Sequence, residues 1–119
     1  MDFNTKERVI IKPGAEVDPA AAIVAGEDFP AVVGAYAVVE AGAEIKGANI
    51  GAYATVKAGA RIKEGVYVGD FAIIEKNTRL PAGAKVPSRA VASGDPFAIV
   101  RGLTKEELDE AKARANAAV

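Results

Sequence analysis

The 119 residues suffice for one domain, half of them hydrophobic and dominated by alanine, so any core is thin and finely packed. The 15 basic and 16 acidic side chains nearly cancel, which removes the electrostatic footprint of a nucleic-acid or membrane-surface protein. Cysteine and histidine are both absent, so disulfides, thiolate nucleophiles and imidazole chemistry are excluded.

The polar start, Met1 to Arg8, lacks the apolar segment of a secretory signal, and no apolar run approaches the roughly 18 residues of a membrane span. A soluble cytoplasmic protein is expected. Residues 1–10 read as an N-terminal cap. From residue 11 an aliphatic residue recurs every six positions, at Ile11, Val17 and Ile23, then Val33, Val39 and Ile45, then Ile50, Val56, Ile62, Val68, Ile74, Leu80 and Val86. Four positions after most anchors stands a small residue, among them Ala37, Ala43, Ala54, Ala60 and Ala72, with Val66 and Thr78 as variants and Asn49 and Glu27 as exceptions. Six-residue steps place successive anchors about 240° apart on an α-helix, so no apolar helical face forms.

Three hexads make one triangular turn, and the pattern predicts an all-β solenoid over 11–92, a left-handed parallel β-helix of about four coils. With Val17, Val33, Ile50, Val68 and Val86 taken as equivalent corners, the coils hold 16, 17, 18 and 18 residues. Residues 23–32 are then either a shortened side, with Phe29 in place of an aliphatic anchor, or a loop, the shortened side being preferred. Tyr36, Tyr53 and Phe71 share one phase and are expected to stack as an outward aromatic column; Tyr67 lies in another phase. On the outer walls Glu40, Lys57 and Glu75, and Glu44 with Arg61, fall in register as charge ladders worth about 0–1 kcal/mol per pair.

Residues 93–103 form an exit segment and 104–119 a C-terminal helical region, with the helix itself from about 105 to 117. Thr104 and Glu107 have capping-box spacing, and Leu103 with Leu108 that of a hydrophobic staple. Leu108, Ala111, Ala115 and Ala118 give the helix a narrow stripe suited to lying on the prism or on a neighbouring subunit.

The hexads, the exit segment Gly94-Asp-Pro-Phe-Ala-Ile-Val-Arg101 and the following Leu103-Thr-Lys-Glu-Glu-Leu108 resemble the hexapeptide-repeat superfamily, closest to its γ-class carbonic anhydrase-like branch, over roughly residues 9–118. The resemblance implies a homotrimer of parallel prisms. It also implies a metal held between subunits by three histidines, but this chain has none and reads Glu40-Ala41-Gly42 where the family carries Arg-Gly-Asp. Asp70 and Glu75 belong to no cluster of converging oxygens. No metal site, catalytic residue or resident cofactor is therefore expected.

Hexapeptide acyltransferases, as the resemblance implies, use histidine as general base, a contribution of roughly 10² to 10⁴ in rate. A neutral amine still attacks an acyl thioester through positioning alone. Residues 1–56 carry four more acidic than basic side chains and residues 57–101 four more basic than acidic. In related acyltransferases coenzyme A lies between prisms with its phosphates towards the later coils, so Arg79, Lys85, Arg89 and Arg101 are candidate anion contacts; the plain alternative is solvated side chains. The leading expectation is a non-catalytic trimeric subunit of a larger protein assembly. The alternative is a hexapeptide acyltransferase or acyl-CoA-binding protein, and a divergent carbonic anhydrase stands third.

Overall fold

The structure, a computed structural model, describes residues 8–117. Fifteen short strands and one helix follow in order: β1 (Val9–Ile11), β2 (Glu16–Val17), β3 (Ala22–Val24), β4 (Ala31–Val33), β5 (Val38–Val39), β6 (Glu44–Lys46), β7 (Asn49–Ile50), β8 (Thr55–Val56), β9 (Arg61–Ile62), β10 (Tyr67–Val68), β11 (Ile73–Ile74), β12 (Arg79–Leu80), β13 (Lys85–Val86), β14 (Ala90–Gly94), β15 (Phe97–Gly102) and α1 (Lys105–Ala117). They build three walls. Wall A stacks β1-β4-β7-β10-β13, wall B stacks β2-β5-β8-β11-β14-β15, and wall C stacks β3-β6-β9-β12. Every pairing between coils is parallel, and only β14 and β15 pair antiparallel. The chain is a left-handed parallel β-helix with one C-terminal helix.

Alternation along each strand turns the anchors inward, where they stack into three aliphatic columns. Val33, Val39, Ile45, Ile50, Val56, Ile62, Val68, Ile74, Leu80 and Val86 are buried, with Ala37, Ala43, Ala54, Ala60 and Ala72 filling the corners between them. Thr78 occupies one of these corners, and its hydroxyl accepts a bond from the Gly94 amide at 3.3 Å. Among the described residues the first coil has a neighbour on one side only, and its Ile11 stays half exposed.

The coil count is five, not four, because Val17 is not equivalent to Val33. Ile11 pairs with Val33 on wall A, while Val17 pairs with Val39 on wall B. The segment after β3 is consequently an inserted loop at the corner between walls C and A, not a shortened side. Its turn closes through Gly26 N to Phe29 O at 2.9 Å, and Arg8 Nη1 donates to Gly26 O at 2.7 Å. The shortened side lies one coil later, after Ile45, where Ala48 takes the buried corner and leaves Asn49 exposed. Residues 1–7 of the expected cap lie outside the described residues, and Val9 and Ile10 already belong to wall A.

The exit segment folds back as β15, so wall B ends in a hairpin. At the start of α1, Glu107 N donates to Thr104 Oγ1 at 3.1 Å and Thr104 N to Glu107 Oε1 at 2.9 Å, the reciprocal capping box. The carboxylate of Glu107 also grips Arg101 at 2.6 and 3.0 Å. These bonds, from Arg101 first, hold the Glu107 carboxyl at about 2, well below the usual carboxylate range.

The helix docks on its own prism through Arg114. One nitrogen donates to Tyr36 O at 3.1 Å, Tyr53 O at 3.0 Å and Ala54 O at 3.4 Å, and the other to Thr55 Oγ1 at 2.7 Å. Burial pulls the guanidinium below its ordinary pKa, opposed by the charges of Glu16 and Glu110. Thr55 and Ile73, which point outward from wall B, are buried on this side, as is Ala111. Ala118 of the expected stripe lies outside the described residues. Arg114→Ala strips these acceptors of their donor and is expected to destabilise the fold by about 2–3 kcal/mol, the scale for orphaned buried groups. Urea unfolding measures this, and a loss below about 0.5 kcal/mol contradicts the docking.

Candidate functional site

Most corners of the prism turn on a left-handed residue, usually three positions after an anchor. Between walls A and B the position is filled by Gly14 in the first coil and then by Tyr36, Tyr53, Phe71 and Arg89, these four with φ between 60° and 64°. Left-handed geometry at a side-chain-bearing residue costs about 1–2 kcal/mol, and stacking offsets it here. The rings of Tyr36 and Tyr53 lie 5.3 Å apart, those of Tyr53 and Phe71 4.8 Å apart, and Arg89 Cζ sits 5.8 Å from the Phe71 centroid. The aromatic column thus runs through three coils with a guanidinium at its end.

Wall C carries a surface trough. Its inward anchors alternate with two outward rows, Ala22-Glu44-Arg61-Arg79 and Val24-Lys46-Lys63-Pro81. The upper part of the trough between them, about 390 Å³, is lined by Arg61, Lys63, Arg79, Leu80 and Pro81 and closed by Asp95, Pro96 and Phe97 at the hairpin tip. A lower part of about 380 Å³ shares Arg61 and Lys63 and continues over Ala22 and Val24. Both volumes fall in the range of about 300–1,000 Å³ that small ligands occupy. Arg61 Nε lies 3.1 Å from Glu44, Arg79 Nε 3.6 Å from Asp95, and Lys46 Nζ 3.7 Å from Glu64, whereas Lys63 makes none of the ion pairs among the described residues. Cations beside the accessible apolar side chains of Pro81, Pro96 and Phe97 suit an amphipathic anion.

The four candidate anion contacts are not brought together. Arg79 lines the trough, Lys85 lies on wall A, Arg89 covers Phe71, and Arg101 is clamped by Glu107 outside wall B. Arg101 pairs with Glu107 and Arg89 lies over Phe71, so neither lines the trough. Arg61 and Lys63, with Phe97, line it beside Arg79. The register held the signal for the first two, because they occupy the hexad positions of Arg79 and Pro81 one coil earlier.

Asp70 and Glu75 serve the scaffold. Asp70 Oδ1 accepts from Ala52 N at 2.9 Å, and Glu75 pairs with Lys57 at 2.8 Å. Among the described residues, no three histidine, cysteine, aspartate or glutamate side chains are grouped as metal ligands, and no helix is long and apolar enough to cross a membrane.

Neither protein-family models nor curated protein sequences give a match to the chain. Solved structures do. A Bacillus cereus protein described provisionally as an acetyltransferase superposes with a TM-score of 0.73 at 17% identity, over 91% of this chain and 86% of that one. A hexapeptide transferase family protein from Anaplasma phagocytophilum superposes with a TM-score of 0.52 at 17% identity, over 92% of this chain and 94% of that one. At this identity the likeness is one of architecture, and the chain has the left-handed β-helix fold of the hexapeptide transferases.

Proposed function

We propose that the chain is an acyl-CoA-binding protein of the acyltransferase type, in preference to the non-catalytic assembly subunit that the missing histidine first suggests. The observation that carries this reading is the wall C trough, where Arg61, Lys63 and Arg79 stand beside the accessible Pro81, Pro96 and Phe97. The two similar structures are both described as transferases, which supports the same choice. Arg79 and Lys63 hold the phosphates, while Pro81 and Phe97 flank the uncharged arm. With no imidazole on the chain, transfer is confined to acceptors that arrive as neutral amines and depends on positioning.

A homotrimer belongs to this proposal. Wall A bears outward Ile10 and Tyr67, both 45% exposed, in one row with Val32 and Lys85. Set against the trough of the next copy, this row shields the ligand and delivers Lys85 to the same anion. The γ-class carbonic anhydrase-like exit segment then marks ancestry of the scaffold, with no metal chemistry attached.

Calorimetric titration with coenzyme A and acetyl-CoA tests the reading. Saturable binding is expected, weakened about tenfold by Arg79→Ala through loss of one charge-assisted contact. Ligand at about 100 times its dissociation constant adds about 2.7 kcal/mol to stability, so a thermal shift reports the same event. Absence of both heat and shift at millimolar coenzyme A overturns the proposal.

A further inference from the structure

We propose that two copies of the chain join end to end through β15, which pairs antiparallel with the same strand of a second copy across a two-fold axis. This goes beyond the acyl-CoA reading and does not depend on it. β15 runs six residues at the last edge of wall B, whereas the other strands at wall ends among the described residues, β1, β2, β3, β12 and β13, run two or three. Strands that short offer too few backbone groups to take on a neighbour. β15 offers enough. Ala98, Ile99, Val100, Arg101 and Gly102 are all exposed, so neither α1 nor a loop covers this edge.

Edges are commonly protected by proline, lysine, a cover or a bulge, and β15 carries only the last. Its single charge, Arg101, is held by Glu107 on the same chain. Its aliphatic pair faces water: Ile99 is 44% exposed, and Val100, at 56%, is the most exposed large hydrophobic side chain among the described residues. The bulge does not shield them. The register with β14 passes from Arg101 to Ile99 and skips Val100, so Val100 has no strand partner on its own chain. A second copy supplies one. An antiparallel register centred on Val100 sets this residue against itself and brings position 95 of each copy opposite position 105 of the other. Asp95 and Lys105 are both exposed, so unlike charges meet at the two ends of the joined strands, whereas a parallel register sets like against like. The strand is thus complementary to itself, which is the argument for a second copy as its partner. Such a contact is isologous and closes, so it doubles the particle and builds no filament. In the homotrimer proposed above, walls A and C meet around the ring and wall B faces outward. Three β15 edges then pair at once about one three-fold axis.

Sedimentation at millimolar chain tests the inference. The natural chain is expected as an even number of copies. Val100→Lys sets two ammonium groups across the axis, and is expected to weaken the joint at least about 100-fold and halve the mass. Val100 is on the surface, and an unchanged circular dichroism spectrum checks that this variant folds. The chain has no cysteine, so Val100→Cys reports the axis directly. Oxidation with diamide is expected to couple it into a covalent dimer, because residues facing each other across an antiparallel pair fall within disulfide reach. An odd number of copies for the natural chain overturns the proposal. A mass unchanged by Val100→Lys does so too. So does a doubled particle in which oxidised Val100→Cys forms no covalent dimer, since a different surface then joins the copies.

Discussion

Ile62→Asp is expected to yield no folded protein. Ile62 is 2% exposed and stands in the wall C column between Ile45 below and Leu80 above. A carboxylate there faces aliphatic carbon and corner alanines. An ionised group buried without a partner is destabilising by several kcal/mol even after it takes up a proton. A domain of this size has a total stability of about 5–15 kcal/mol, drawn here from a core only three side chains across. Parallel coils leave no slack, because displacing one anchor breaks the strand pairing on both sides of it. Loss of the β-type circular dichroism spectrum and recovery in the insoluble fraction are the expected results. Ile62→Val, which removes one methylene, is the control and costs about 1 kcal/mol. A soluble Ile62→Asp protein with an unchanged melting temperature means that Ile62 does not face the interior.

The hexad period was enough to identify the solenoid because one physical requirement, an inward aliphatic at each wall, repeats without interruption from Val33 to Val86. It was not enough to phase the first coil. Val17 serves wall B as well as it would serve wall A, since both walls ask for the same residue type, and only the pairing of Ile11 with Val33 separates the two. Phe29 misled in the same way, being apolar at nearly the right distance while its ring lies on an outer corner. The aromatic column was legible because Tyr36, Tyr53 and Phe71 share a phase that no other wall repeats. The trough was legible only in part. Arg79 marks it in the sequence, but cations occur on all three walls, and which of them face one another depends on register between coils. Phe97 and Pro96 reach the trough because the exit segment turns back as β15, a tertiary event with no hexad signature. Arg114 is a surface cation by sequence and becomes a half-buried donor only when α1 lies across wall B.

The stacking of coils at the corner between walls A and B makes a second sharp demand, on Gly51. Gly34, Gly51 and Gly69 each follow a wall A anchor, and none has positive φ, so backbone freedom is not what selects glycine. The reason is contact. A Cβ on Gly51 would lie 2.6 Å from Asp70 N and 2.7 Å from Gly69 C, and one on Gly34 would lie 2.5 Å from Ala52 N. These are backbone atoms of the next coil, already bonded across the gap by Gly51 N to Val68 O at 2.8 Å and Phe71 N to Ala52 O at 2.9 Å. They cannot rotate away as a side chain would. Gly51→Ala therefore pushes two coils apart where Tyr53 stacks on Phe71 at 4.8 Å and Ala52 N donates to Asp70 Oδ1 at 2.9 Å. A loss of more than about 3 kcal/mol is expected, the upper range for overpacking in a close-packed interior, and at about 4 °C per kcal/mol the melting temperature falls by at least about 12 °C. Gly83→Ala separates this effect from backbone strain. Gly83 has φ +77°, yet a Cβ there meets nothing within 4 Å, so it loses only the left-handed penalty of about 1–2 kcal/mol. The last coil is consistent with this reasoning, since the residue after Val86 is Pro87 and, among the described residues, no further strand of wall A stacks beyond β13. Melting curves that place Gly51→Ala no lower than Gly83→Ala refute the close approach of coils at this corner.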